Sequence, residues 1–502
     1  MNTNRKEPRG ESIERAEAEV QRAIAEATAI AKRDEITLAE AEAKLWTALL
    51  ALGRALLALL LARAAARSRP ATYEHDGVRY ALDTTTRRNS QIGTRFGKVS
   101  FSRAVGRALG GRRRADLPVD RELGLCSGFS LGTVTAVVQL CTLLAFGTAR
   151  RVFAESHEWA PSSRATLRMV DAVGAEARAF LDLAAVPDDD GELVFIQVDG
   201  RGVPMISKTE AQRRRKPKRR AKGTKRHNRR LRRREHPRPR RKKGDKSKNA
   251  KVAFVGVIYT LRETDDGYEG PINKRLIATF ESHEALFRWL HEHAVKRGYG
   301  KKRSYFLADG SEHIWRLQQQ YFPDATPCID WYHIAEKLWA AGGCLYREGS
   351  KQLVAWVDEQ KQRLRRGKLA ELTTELSRAY AAIPKTGPGN KGRRKRLLKI
   401  IEHFAEHRHR MRYAELRRED LDIGTGIVEG AVRNLVGIRL DGPGMRWGRD
   451  RAELLLHLRC ILLNGQWDAF CEHLAARQLK LAAQPTPART HDAKPQQLRE
   501  VA

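Results

Sequence analysis

Residues 193–200 read LVFIQVDG. Five of the six residues from Leu193 to Val198 are apolar, and the run is too short for an ordinary helix. Without polar alternation, they predict a strand buried on both faces. The run ends in Asp199-Gly200. A carboxylate at the end of a buried strand is costly unless something compensates it, and a metal ion is one such partner. Working outward, VAFVGVIYTL (252–261) and KRLIATF (274–280) read as two further strands. Phe287 to Arg297 reads as a helix, and SYFLADGSE (304–312) as a strand ending in a second Asp-Gly pair, Asp309-Gly310. The outline is a mixed α/β sheet with a carboxylate at its edge twice over.

The surroundings are strongly basic. The 502 residues carry 95 Lys plus Arg against 60 Asp plus Glu, a net charge of +35. Such a surplus draws a chain toward polyanions and argues against a receptor for acidic ligands. Residues 213–251 alone hold 23 Lys or Arg and two acids, so +21 lies in this stretch and +14 elsewhere. With almost no apolar residues it is expected to be a disordered insertion that grips phosphates. Contact with ~6 phosphates would give log K a slope against log salt of roughly −5. Arg213, Arg214, Arg215, Lys218, Arg219, Arg220, Arg229, Arg230, Arg232, Arg233, Arg240 and Arg241 are its candidate DNA contacts. The six cysteines are scattered without a C-x-x-C pair, which disfavours a disulfide scaffold or zinc knuckle.

The remaining composition divides the chain. Residues 1–70 read as a helical arm, two helices broken near Asp34 or Gly53, serving as a dimerisation arm or a helical cap. Within it, the apolar run Leu45 to Ala62 approaches a membrane span in length, but Arg54 at its middle argues against one. Residues 71–115 read as a small antiparallel sheet. Residues 116–185 read as short helices in a helix-turn-helix-like DNA-binding part, with Arg164 and Arg168 on the second half. Residues 190–333 read as the first part of a mixed-sheet core, and 334–422 as a helical insertion looped at 384–394. Residues 423–470 form the last part of the core, and 471–502 a flexible tail. The fold class expected is α+β or α/β, multidomain.

A third acid, Glu429, follows GTG at the start of a helical run. Three acids from separate elements meeting at a sheet edge would make a hard, oxygen-rich site suited to Mg²⁺ or Mn²⁺. Two such ions ~4 Å apart can activate a hydroxyl and stabilise the leaving oxygen of a phosphodiester. Taken singly, an Asp-Gly pair is more often a turn, and a Glu at a helix start more often complements the helix dipole.

The stretches VFIQVDGRGVPM (194–205), VAFVGVIYT, FLADGSEHIWRLQQQYFPDATPCIDWYHIAEKLW (306–339) and GTGIVEGAVRNLVGIRLDGPGMRWGRDRAELLLHLRCILLNGQW (424–467) resemble DDE-type insertion-sequence transposases of the ISKra-type group. The ISLre-type and Mutator-like groups are more distantly similar. The resemblance implies an RNase H-like catalytic core with an all-helical insertion before its last acid, and Asp199, Asp309 and Glu429 as catalytic, metal-holding residues. Asp330 and His333, in IDWYHI, match a D-x-x-H element with a supporting role; Asp330 also competes with Asp309 as second acid. Arg446 and Trp447, in PGMRWG, match an element before a helix. They read as a phosphate contact and a base-stacking ring, though a Trp packed in the core is the usual case. Asp441 is a weaker third-acid alternative. Paired cysteines common in the family's β-rich stretch are missing between Tyr73 and Arg114.

The function implied is metal-dependent cleavage of the DNA at the element's ends followed by strand transfer, on two Mg²⁺ or Mn²⁺ ions. The alternatives are a catalytically silent DNA-binding protein with this fold, or a nuclease that cuts without joining. The partners expected are element ends, target DNA and a second copy of the chain, with no membrane. The place expected is the bacterial cytoplasm, at the nucleoid.

Overall fold

The computed structural model describes residues 11–110, 115–183, 185–207, 209 and 250–477. It divides into two compact units, Met1–Val138 with Phe146–Val173 and Leu474–Ala502, and Gln139–Ala145 with Gly174–His473.

The first unit begins with α1 (Glu11–Ala31) and α2 (Leu38–Ala66). The break falls at Asp34 and not at Gly53, because Thr37 starts α2 with a capping box closed by Glu40. Gly53 sits inside α2 for a different reason. A Cβ there would lie 2.2 Å from the Phe96 ring, so the glycine is what lets that ring cross the helix. β1 (Thr72–His75), β2 (Val78–Thr94) and β3 (Gly97–Ala108) form an antiparallel sheet in sequential order. Leu61 and Ala64 of α2 pack on its Ile92, Val99 and Phe101. Then come α3 (Pro118–Glu122), α4 (Leu131–Leu143), α5 (Phe146–His157) and α6 (Ser163–Asp182).

The second unit is built on five strands: β4 (Leu193–Pro204), β5 (Ala250–Thr264), β6 (Gly267–Thr279), β7 (Arg303–Ala308) and β8 (Thr326–Ile329). Their order is β6-β5-β4-β7-β8. β4, β5 and β6 are antiparallel neighbours, while β4–β7 and β7–β8 are parallel. This is an RNase H-like mixed sheet. Helices cover both faces, which is why β4 is apolar without alternation. Phe195 lies in register with Tyr259 on one side and Tyr305 on the other, and the rings stack at 5.2 and 4.8 Å. α7 (His283–Lys296), capped by Ser282, packs on the opposite face, with Leu290 over Gly256. α8 (Glu312–Tyr321) follows β7.

The stretch before the last acid is all helical, in α9 (Trp331–Leu345), α10 (Lys351–Arg365), α11 (Leu369–Ala382), α12 (Asn390–Glu406), a 3-10 turn (Arg408–Arg410) and α13 (Tyr413–Arg418). The loop expected over 384–394 is shorter, because α12 begins at Asn390. α14 (Gly426–Val432) runs through a π turn (Arg433–Gly437) into α15 (Ile438–Leu440). α16 (Arg449–Leu463) and α17 (Trp467–Ala476) close the described chain. The flexible tail expected from residue 471 therefore gives way to a helix through Ala476. It is helical because it has a core to join: Phe470 is buried with its ring 5.0 Å from that of Phe180.

Candidate active site

Asp199 does not end its strand as the sequence suggested. β4 runs on to Pro204, paired with β5 throughout. What ends is its pairing with β7, whose last register pair is Val198 with Ala308. Asp199 and Asp309 are the next residues on each strand, side by side where β4 and β7 part. Strand β7 stops there because Asp309 turns the chain, its Oδ1 accepting the Ser311 N–H at 3.0 Å. Asp199 Oδ1 accepts the N–H of Gly200 at 2.6 Å.

Glu429 reaches the same end of the sheet from α14. Phe195, Gln197 and Asp199 project from one face of β4, by the two-residue period of a strand. Gln197 is fully buried there, and its Oε1 accepts the Val428 N–H at 3.1 Å. That bond fixes the first turn of α14 against the strand, one residue before Glu429. From the other side, Thr425 Oγ1 donates to Glu429 Oε1 at 3.2 Å.

Asp330 holds this arrangement from below. It is 4% exposed, and each of its oxygens accepts a backbone N–H: Oδ2 from His333 at 2.7 Å and Oδ1 from Thr425 at 2.8 Å. It thus caps α9 and pins the turn into α14 with one carboxylate. With both oxygens engaged, Asp330 is a bracket, whereas Asp309 keeps an oxygen open beside Asp199.

The acids feel one another. Burial raises the Asp199 carboxyl above its ordinary value, and the charges of Asp309, Glu429 and Asp330 raise it further, against the Gly200 N–H. Several carboxylates repelling at one place are the donor chemistry of a hard divalent cation. The set is gathered but not closed: among the described residues, no three His, Cys, Asp or Glu side chains stand together in a group that could hold a metal ion. In donor type and charge, Asp199, Asp309 and Glu429 fit Mg²⁺ or Mn²⁺.

Behind Asp309 lies a histidine cluster that only His333 foreshadowed. His403 and His407, one turn apart near the end of α12, have ring centres 4.5 Å apart, and His333 lies 5.6 Å from His403. A Cβ on Gly310 would meet His403 Cε1 at 2.5 Å and His333 Nε2 at 3.1 Å, so only glycine lets the Asp309 turn approach these rings. Burial, helped by His407, Lys337 and His333, lowers His403 to about 3 and keeps it neutral. His333 is also lowered, by burial and Lys337, against the pull of Asp309 and Asp330.

The other sequence candidates are dispersed. Arg446 is exposed, as a phosphate contact must be. Trp447 is buried, with its indole N–H donating to the Leu440 carbonyl at 2.9 Å and the Arg439 guanidinium over its ring. It is a core residue, so the base-stacking role is withdrawn. Asp441 pairs with Arg201 at 2.9 Å, which removes it from the competition for third acid. In the first unit, Arg164 is exposed and Arg168 half-buried on α6. The twelve basic candidates from Arg213 to Arg241 lie outside the described residues. Gln197, Thr425 and Arg459 went unsuspected. Arg459, nearly fully buried, donates to the carbonyls of Asn434, Leu435 and Thr142, holding the π turn that follows Glu429. One signal was present: Gln197 is the single strongly polar residue within LVFIQV.

No protein-family model matches this sequence, and neither does any curated protein. Among solved structures, the Drosophila P element transposase strand transfer complex is similar at a TM-score of 0.24 and 9% identity. That similarity covers 70% of this chain and 83% of that one.

Proposed function

We propose that this chain is a DDE-type DNA transposase of an insertion sequence, cutting at the ends of its element and joining the freed 3′-hydroxyl to target DNA. The observation that carries the reading is that Asp199 and Asp309 follow the last register pair of β4 and β7, with α14 carrying Glu429 toward the same end of the sheet and Asp199 raised by burial and then by its acidic neighbours. Mg²⁺ or Mn²⁺ held by these three would supply an activated water or 3′-hydroxyl and offset charge on the leaving oxygen.

The chain's own residues do the positioning. Gly310 lets the Asp309 turn lie against the histidines. Gln197 and Asp330 hold Glu429 at a fixed distance from the sheet through the backbone of α14. Neutral His333 and His403 add no positive charge to compete with a cation for the carboxylates. Arg446 and the basic stretch 213–251 would bind phosphates along the DNA and set its register. No tyrosine or serine nucleophile enters, so the reaction would leave no covalent protein–DNA intermediate. The bacterial nucleoid would be its place of action.

The test is a cleavage and joining assay on DNA carrying the flanking ends of the source element, with Mg²⁺ or Mn²⁺, beside Glu429→Gln. Cut ends and joined product, both lost in the variant, support transposition. Cut ends without joined product would make the chain a nuclease. Tight binding without cutting, by a folded protein with metal present, would make it a DNA-binding protein that has kept the fold.

A further inference from the structure

Helix α2 carries an apolar stripe that the first unit leaves half exposed, with the Trp46 indole N–H at one end donating to the Ser156 carbonyl at 3.1 Å. Trp46, Leu49, Leu56 and Leu60 are each about half exposed. Their spacings of three, seven and four residues place them on one face of the helix, and Gly53 falls on that face between them. The gap is filled by Phe96, which lies across Gly53, is itself 42% exposed, and is held there by Arg54 donating to its carbonyl at 3.0 Å. Five large side chains therefore form one continuous band. The other side of α2 is already used, by Val20 and Ala23 of α1 against Ala55, and by Leu61 and Ala64 on the sheet.

The ends of the stripe carry opposite charge. Glu42 extends it toward the start of α2 and Arg63 toward the end, and both are exposed. A second α2 laid parallel would stack Glu42 on Glu42 and Arg63 on Arg63. Laid antiparallel, it sets Leu49 beside Leu60 of the second copy and Leu56 beside Phe96. The same register brings Trp46 beside Arg63 of the second copy, with Glu42 one turn beyond at that basic end. The stripe is complementary to itself in one direction only.

We infer that α2 is an antiparallel homodimerisation surface, centred on Gly53 and Phe96. Its occupant is a second copy of this chain. A bilayer is the competing occupant, because Leu38–Ala66 is long and apolar enough to cross a membrane by length and composition. Two features oppose that: Arg54 at mid-helix, tied to Phe96, and α1 packed along α2, which would have to be stripped away. The inference does not depend on the catalytic reading.

The test uses the full chain in sedimentation equilibrium at ~10 µM. The native protein is expected to be a dimer. Leu56→Glu, at a half-exposed position, should weaken association at least ~10-fold with an unchanged far-ultraviolet circular dichroism spectrum at ~25 °C. Independently, in a Cys471→Ser background (the other five cysteines are buried), Leu49→Cys with Leu60→Cys should cross-link two chains on oxidation. Neither single cysteine should do so. A monomeric native protein, a dimer indifferent to Leu56→Glu, or cross-linking by either single cysteine would overturn the inference. So would flotation of the native protein with phosphatidylglycerol vesicles that Leu56→Glu abolishes, since the stripe would then belong to a membrane.

Discussion

Asp330 and Thr425, 95 residues apart in the chain, are joined by a 2.8 Å hydrogen bond from the Thr425 N–H to the buried Asp330 carboxylate. The same carboxylate caps α9 through His333. One side chain thus ties the start of the helical insertion to its exit, four residues before Glu429. Asp330→Ala removes a helix cap and leaves a buried N–H unpaired, so a loss of ~2–4 kcal/mol is expected in urea unfolding. Asp330→Asn keeps an acceptor oxygen and should lose less. No loss in Asp330→Ala would show that the His333 and Thr425 N–H groups do not depend on the carboxylate.

Gln197 makes the corresponding tie from the sheet. Its Oε1 accepts from Val428 and its Nε2 donates to the Tyr259 hydroxyl at 3.0 Å. Gln197→Leu has similar volume but orphans the Val428 N–H, at an expected cost of ~1–3 kcal/mol. Because the bond lies next to Glu429, DNA cleavage should fall further than the stability loss explains. The measurement is the cleavage rate well below the unfolding midpoint; a rate unchanged from the native protein would remove Gln197 from the positioning frame.

The acids should show opposite effects on stability and activity. Asp199 is destabilised by burial and by its acidic neighbours. Asp199→Asn relieves that repulsion, so the melting temperature should rise in the absence of metal, while cleavage falls on the order of 10³-fold or more. Differential scanning calorimetry with and without Mn²⁺ checks the first part. A lower melting temperature would mean that the carboxylate is needed for folding.

The first acid, the second acid and the sheet between them were legible in the sequence, because each Asp followed an apolar run and preceded a glycine. How they meet was not. Periodicity ended β4 at Asp199, whereas β5 continues to pair with it to Pro204. The true boundary is the end of β7, set by the turn at Asp309. Gln197 was hidden because one polar residue does not break an apolar run. His403 and His407 were hidden because two histidines one turn apart on a basic helix signal nothing until α12 is folded against Gly310. Trp447 was legible only as a pair of alternatives, and its burial decides between them.

Stability should fall on mild acidification through His293. Burial, with Lys296 and nearby arginines, lowers this histidine to about 4 in the folded chain. Unfolded, it titrates near 6.5. As pH falls below 6.5 the unfolded chain takes up the proton first, so stability is full above that pH. It is lost down to about 4, at up to ~1.4 kcal/mol per pH unit for this one group. Urea unfolding at pH 7, 6 and 5 should show the decline, and His293→Gln should flatten it. An equal slope in the variant would assign the decline to other groups.

The most direct test of the central claim is Mn²⁺ binding, followed by electron paramagnetic resonance, to the full chain in complex with duplex DNA. Native protein and Asp330→Asn should bind the ion, while Asp199→Asn, Asp309→Asn and Glu429→Gln should each weaken binding at least ~10-fold. Binding that survives all three substitutions, or that fails only in Asp330→Asn, would contradict a metal centre built on Asp199, Asp309 and Glu429.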